Sequence, residues 1–323
     1  MATPTSDRAT SQPGLGARIF LSPDERRLRA GWRLLGQIGI MLVIAGAISI
    51  ALSFFVAALA FINPELVAEG GTPESLLLAL SVVVALPAVT LSVWIARRAL
   101  DRRPFSSLGI EWGALTLRDL LIGFLIPAPL FALVFLAQWG LGWLEIEGWG
   151  WADGSLGLTV LWVVLGLAAF IAVGFYEELL FRGYYLQNLR DGTSVALALF
   201  LSSSIFGLAH SGNFSASIAS TLGIFGAGYF LAYGWLRTRA LWLPIGLHIG
   251  WNFFQGPVFG FAVSGSPTPS IVVHTIEGPE LLTGGDFGPE AGLIVFPLIA
   301  LGSALIWLYT RGRKTVTDQA SAP

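Results

Sequence analysis

Residues 157–189 read GLTVLWVVLGLAAFIAVGFYEELLFRGYYLQNL. At ~1.5 Å per residue a helix of this length exceeds the ~30 Å hydrocarbon thickness of a bilayer, so it is tilted or projects beyond the lipid. Its only charged residues are Glu177, Glu178 and Arg182. One charge near the centre of a spanning helix costs about 2.5–3.5 kcal/mol on the insertion scale, so three in one segment must be offset by partners or by function.

Working outward, apolar runs also cover about 33–62, 74–96, 118–143, 194–210, 216–236, 240–262 and 291–310. With 54% hydrophobic and 12% charged residues, and a mean hydropathy of +0.73, the chain is far more apolar than a soluble domain. The expected class is all-α, a polytopic membrane helix bundle of about eight transmembrane helices. Three regions are expected: a tail over 1–31, partly disordered with a short basic helix; a single transmembrane domain over 32–310; and a tail over 311–323. Ser22-Pro23-Asp24-Glu25 has the N-cap, first-turn proline and capping-box glutamate of a helix start, and Arg26, Arg27, Arg29 and Arg33 follow it.

Loop charge sets the orientation. Arg97, Arg98, Arg102, Arg103 and Arg118, then Arg190, then Arg237 and Arg239, then Arg311, Arg313 and Lys314 fall on the same side as the basic N-terminal region. The alternate loops carry Glu65, Glu69, Glu74, Glu145, Glu147, Asp153, Glu277, Glu280, Asp286 and Glu290 and no Lys or Arg. The positive-inside rule then makes both termini cytoplasmic in a multi-pass cell-membrane protein, and the even span count agrees. With no basic patch left over, nucleic acid is excluded as a partner. Cysteine is absent, which removes disulfides, thiol nucleophiles and thiolate metal sites.

Three polar clusters interrupt the apolar runs. Glu178 and Arg182 are four apart and share a helix face, whereas Glu177 is rotated by about 100° and lacks that partner. Two adjacent carboxylates in a low dielectric do not both ionise easily, so the one without the arginine is suited to take up a proton. Phe206 precedes His210 by four, and His248 precedes Asn252 by four, which aligns each pair on one face. Counting ~1.5 Å per residue from the cytoplasmic helix ends brings Glu177, His210, His248 and Asn252 to one depth layer.

Glu-Glu-x-x-x-Arg at 177–182, Phe-x-x-x-His at 206–210 and His-x-x-x-Asn at 248–252, on successive spans, resemble the CAAX prenyl endopeptidase and bacteriocin-processing (Abi, type II CAAX protease) family of intramembrane proteases. The likeness covers about 157–255, the expected protease core, and the Arg103–Gly109 segment is similar to one upstream in that family. The resemblance implies peptide hydrolysis by an activated water. Glu177 would be general base with His210 assisting, Glu178 and Arg182 would fix its geometry, and His248 and Asn252 would form an oxyanion hole opposite Glu177. It also implies a peptide or membrane-associated protein substrate in the lipid bilayer. Members are commonly labelled metalloproteases, so Glu177, His210 and His248 are the zinc ligands if a metal takes part; the cofactor is zinc or none.

The remaining residues have structural readings. His274, in the Gly/Pro-rich external loop 263–290, is expected to be solvated. Trp32, Trp112, Trp143, Trp149, Trp151, Trp235 and Trp307 are expected as interfacial anchors, Arg237 and Arg239 as topology charges, and Gly174, Gly183, Gly207 and Gly250 as close-approach positions. The alternative functions are a non-enzymatic membrane scaffold or immunity protein and a proton-coupled transporter. The second lacks the inverted repeats that transporters carry.

Overall fold

A computed structural model of the chain describes residues 19–22, 27–62, 74–152 and 154–313. It is a helical bundle: α1 (Ala30–Ile62), α2 (Glu74–Ala99), α3 (Thr116–Leu125), α4 (Pro127–Gly140), α5 (Leu156–Glu178), α6 (Leu186–Gly192), α7 (Val195–Ala209), α8 (Ile218–Thr238), α9 (Trp242–Phe253), a one-turn α10 (Glu280–Thr283) and α11 (Val295–Thr310). Among the described residues four stretches, against about eight expected, are long and apolar enough to cross a membrane: Ala30–Ala58, Leu80–Ala99, Thr116–Gly140 and Leu156–Gly192. Val195–Ala209 and Val295–Thr310 are apolar but shorter.

Three of the helix starts are marked by serines. Ser155, Ser194 and Ser217 each accept a backbone N–H in the first turn of α5, α7 and α8, and Ser217 with Ser220 completes a capping box. At the centre lies α9, whose residues from Leu243 to Asn252 are all buried. A Cβ on Gly246 would meet the Leu120 carbonyl oxygen and one on Gly250 the Phe124 carbonyl oxygen, so α3 packs on α9 backbone to backbone. The same close approach at Gly174 sets α5 against the Ile249 backbone.

Several expectations are corrected. The class is helical as expected, but the bundle also carries an unexpected two-stranded sheet. Strand β1 (Leu144–Trp149) pairs antiparallel with β2 (Val272–Ile276), Leu144 facing Ile276 and Ile146 facing His274, with a bulge between Ile146 and Gly148. Its partners come from two loops far apart in sequence, which no local periodicity links. The 263–290 loop thus contains β2 and α10. His274 is half-buried: its Nε2–H donates to the Phe259 carbonyl (2.9 Å), and its ring lies 5.1 Å from that of Phe261 and 6.0 Å from that of Phe135. Trp235 is a core residue under the Arg190 guanidinium rather than an interfacial anchor. Arg237 bonds the Thr310 hydroxyl and carbonyl at the end of α11, a structural role beyond topology.

At the N-terminus, Leu21 bridges Leu28 antiparallel and α1 starts only at Ala30, so Arg27 and Arg29 precede the helix. The chain folds back on itself here, with Ser22 N–H on the Arg27 carbonyl and Arg29 N–H on the Phe20 carbonyl. The expected cap at Pro23-Asp24-Glu25 lies outside the described residues, as do Arg26, Glu65, Glu69, Asp153, Lys314 and most of both tails.

The arginine-rich end is knitted by acids. Asp101, with no exposed side chain, pairs with Arg33 (3.2 Å) and Arg97 (2.8 Å), and Asp191 pairs with Arg27 (2.9 Å) and Arg103 (3.0 Å). Asp119 takes Arg313 in a two-pronged pair (2.8 and 2.9 Å) and the Tyr309 hydroxyl (2.6 Å). These contacts join the first two helices and the last one to the bundle that holds the site.

Candidate active site

Directly after Glu178 the helix widens into a π-helical stretch, Leu179–Tyr185, before α6. Such stretches are rare and frequent at functional sites. The i,i+4 pair survives it: Arg182 Nη1 lies 2.7 Å from Glu178 Oε1, both side chains essentially inaccessible. Arg182 Nη2 also donates to the Gly228 carbonyl on α8 (3.1 Å), and its guanidinium lies 4.2 Å from the Phe206 ring centroid on α7. A single cation therefore ties α5, α7 and α8 together.

The motif spacing did not reveal that Glu178 has a second partner. His248 Nδ1 lies 2.8 Å from the Glu178 oxygen that Arg182 holds. Since a carboxylate paired with arginine accepts, Nδ1–H donates, and Nε2 carries the lone pair in the neutral ring. His210 is set the same way: its Nδ1–H donates to the Phe206 carbonyl (2.8 Å), one turn back on α7. Phe206 thus supports both the arginine and the histidine, which explains its place in the motif.

Both Nε2 atoms converge on Glu177. Each lies 3.8 Å from Glu177 Oε2, and that oxygen is buried with no hydrogen-bond partner among the described residues. Asn252 is buried one turn beyond His248 and lines the same cavity. The cavity has a volume of about 460 Å³; its polar wall includes Glu177, His210, His248 and Asn252, and Phe170, Phe206 and Phe230 help close its apolar side. Thus all six expected residues meet, but His248 stands beside Glu177 rather than opposite it. Glu290, expected as an external loop acid, is buried and lines this cavity, whereas Glu145, Glu147, Glu277, Glu280 and Asp286 are exposed.

Two imidazole Nε2 lone pairs beside a carboxylate are the right donor types for zinc. Bonds of ~2.1 Å at tetrahedral angles put ligand atoms about 3.4 Å apart, closer than the 3.8 Å found for both histidines. Among the described residues no group of three or more His, Asp or Glu is placed to hold a metal. The triad expected for a zinc enzyme does not fit this arrangement.

Residues 159–254 match the family model of the type II CAAX prenyl endopeptidases, Rce1-like, a membrane protease family. The matched stretch contains Glu177, Glu178, Arg182, His210, His248 and Asn252. No curated protein and no solved structure matches the chain.

Proposed function

With residues 159–254 forming an Rce1-like type II CAAX prenyl endopeptidase domain, we propose that the chain is an intramembrane endopeptidase in which Glu177 activates the hydrolytic water. The observation that carries this is the 3.8 Å gap from Glu177 Oε2 to the Nε2 atoms of both His210 and His248. The gap is too long for direct hydrogen bonds and suits one water held between them.

In the reaction Glu177 Oε2 takes a proton from this water as its oxygen bonds to the scissile carbonyl carbon, and the carbonyl π pair moves onto oxygen. His210, whose Nδ1–H is held by Phe206, uses its Nε2 lone pair to orient the water. The developing oxyanion is held by the Asn252 side-chain amide and by His248 Nε2–H, a contribution of about 2.7–4 kcal/mol per donor in such sites. For this, His248 enters the step already protonated at Nε2, with Nδ1–H staying on Glu178, and the attacking water is held by Glu177 and His210; this gives Glu178 and Arg182 a positioning role. Collapse breaks the C–N bond, and the proton on Glu177 passes to the leaving amine.

The proposed setting is one transmembrane domain over 32–310 with its core at 157–255, eight spans and both termini cytoplasmic. The substrate class is a membrane-associated peptide: a prenylated C-terminal segment, a bacteriocin precursor or a segment of a membrane protein. The experiment is incubation of purified protein in detergent with a farnesylated, CAAX-terminated fluorogenic peptide. The native chain cleaves it and Glu177→Gln, His210→Ala and His248→Ala do not; equal rates in all four refute the assignment.

A further inference from the structure

Glu290 lies beyond the matched stretch, in the loop before α11, yet its carboxylate is buried on the wall of the cavity. Both oxygens are committed. Oε1 accepts from Trp251 Nε1–H (3.0 Å), and Oε2 accepts from the backbone N–H (2.8 Å) and hydroxyl (2.9 Å) of Ser264. A buried carboxylate with three donors is a fixed point, since losing any of them leaves charge without solvent.

What it fixes is the frame of the site on the side away from the arginines. Trp251 is the neighbour of Asn252 on α9 and three residues from His248, wedged between Phe131 and Phe230. Ser264 is the first central residue of a tight turn in which Val263 and Ser266 exchange both backbone hydrogen bonds (2.9 Å each). Ser264 and Gly265 both have positive φ, 47° and 85°, the signature of a type I′ turn and an unfavourable conformation for serine. The Ser264 carbonyl in turn accepts from Asn213 Nδ2 (2.9 Å), and Asn213 N–H donates to the His210 carbonyl (3.1 Å). One carboxylate is therefore linked on one side to the helix of His248 and Asn252 and on the other to the turn that follows His210.

We infer that Glu290 is a positioning residue for the reaction: through Trp251 and through Ser264 and Asn213 it holds His248, Asn252 and His210 at the spacing the bridging water needs. The inference rests on the hydrolytic reading of the cavity. Displacing a catalytic group by about 1 Å costs on the order of a hundredfold in rate, the effect that loss of such a frame produces.

The test uses the absence of cysteine from the chain. Val263, buried at the cavity wall beside Ser264, is replaced by cysteine and its modification by a bulky water-soluble maleimide is timed in detergent. Val263→Cys with Glu290→Gln reacts about tenfold faster than Val263→Cys alone, whereas Val263→Cys with Glu277→Gln does not change. In the cysteine-free background, Glu290→Gln leaves at least one buried donor without an acceptor and so lowers the thermal midpoint, but the folded variant also loses kcat on the farnesylated CAAX peptide about ten- to hundredfold with KM nearly unchanged. Should Glu290→Gln not fold, Ser264→Ala removes only the hydroxyl donor and shows the same two effects at lower amplitude. Unchanged labelling, or a lowered midpoint with native kcat, overturns the inference. Labelling is scored without substrate, so a native chain that cleaves nothing fails the proposed activity while the labelling arm still tests the frame.

Discussion

Removing Arg182 separates the structural pair from the chemistry. In Arg182→Ala the buried Glu178 loses its 2.7 Å ion pair, α8 loses the bond to the Gly228 carbonyl, and Phe206 loses the cation 4.2 Å from its ring. Breaking one partner out of a buried pair costs about 3–5 kcal/mol. With both side chains inaccessible, no discount for solvent screening applies. His248 Nδ1–H stays on Glu178 and offsets part of the loss, so the lower end, about 3 kcal/mol, is expected. At ~2.1 cal/mol/K of unfolding entropy per residue over 323 residues, that is a fall of roughly 4–5 °C in the thermal midpoint. Glu177→Gln is nearly isosteric and removes no hydrogen bond seen at Oε2, so its midpoint stays within about 2 °C while turnover stops. Midpoints of the two variants and the native chain, followed by circular dichroism in one detergent, decide the matter. Equal falls in both variants, or no fall in Arg182→Ala, refute the division of roles.

Single cysteines introduced at the exposed positions 152 and 280 react with an impermeant maleimide outside intact cells, and those at the exposed positions 113 and 193 do not; outside labelling of 113 or 193 overturns the eight-span topology. Asp101→Ala leaves Arg33 and Arg97 buried without their main acceptor and lowers stability by about 3 kcal/mol, read as a lower midpoint with the fold otherwise intact. His274, outside the spans, is held below the ordinary imidazole range by burial. The unfolded ring titrates near 6.5, so it binds more protons than the folded one below that pH, and stability falls as pH drops from about 6.5 toward the folded value. His274→Gln removes that part of the fall in midpoint between pH 8 and 5; an identical slope in the variant contradicts it.

The parts of the molecule legible in its sequence are those where the bilayer or the helix period leaves little choice. The spans over Leu156–Gly192 and Thr116–Gly140 follow from apolar length, and the Glu178–Arg182 pair from a four-residue step. The convergence of Glu177, His210 and His248 follows from counting rise along three helices. The Glu178–His248 bond is not legible, because it depends on side-chain reach between α5 and α9 and on the glycines that let them approach. Nor is the pairing of Leu144–Trp149 with Val272–Ile276, or the burial of Glu290. A loop acid reads as solvated until a turn some 26 residues away brings it donors. Charge counting saw the arginines of one end but not that Asp101 and Asp191 gather them.

The central claim is that Glu177 activates water for peptide hydrolysis in this cavity. It is tested most directly by mass spectrometry of the farnesylated CAAX peptide after incubation with the protein in ¹⁸O-labelled water. The native chain yields a shortened peptide whose new carboxylate carries one ¹⁸O, and Glu177→Gln, folded and of native midpoint, yields none. Labelled product from Glu177→Gln at the native rate, or no product from either protein, contradicts the account.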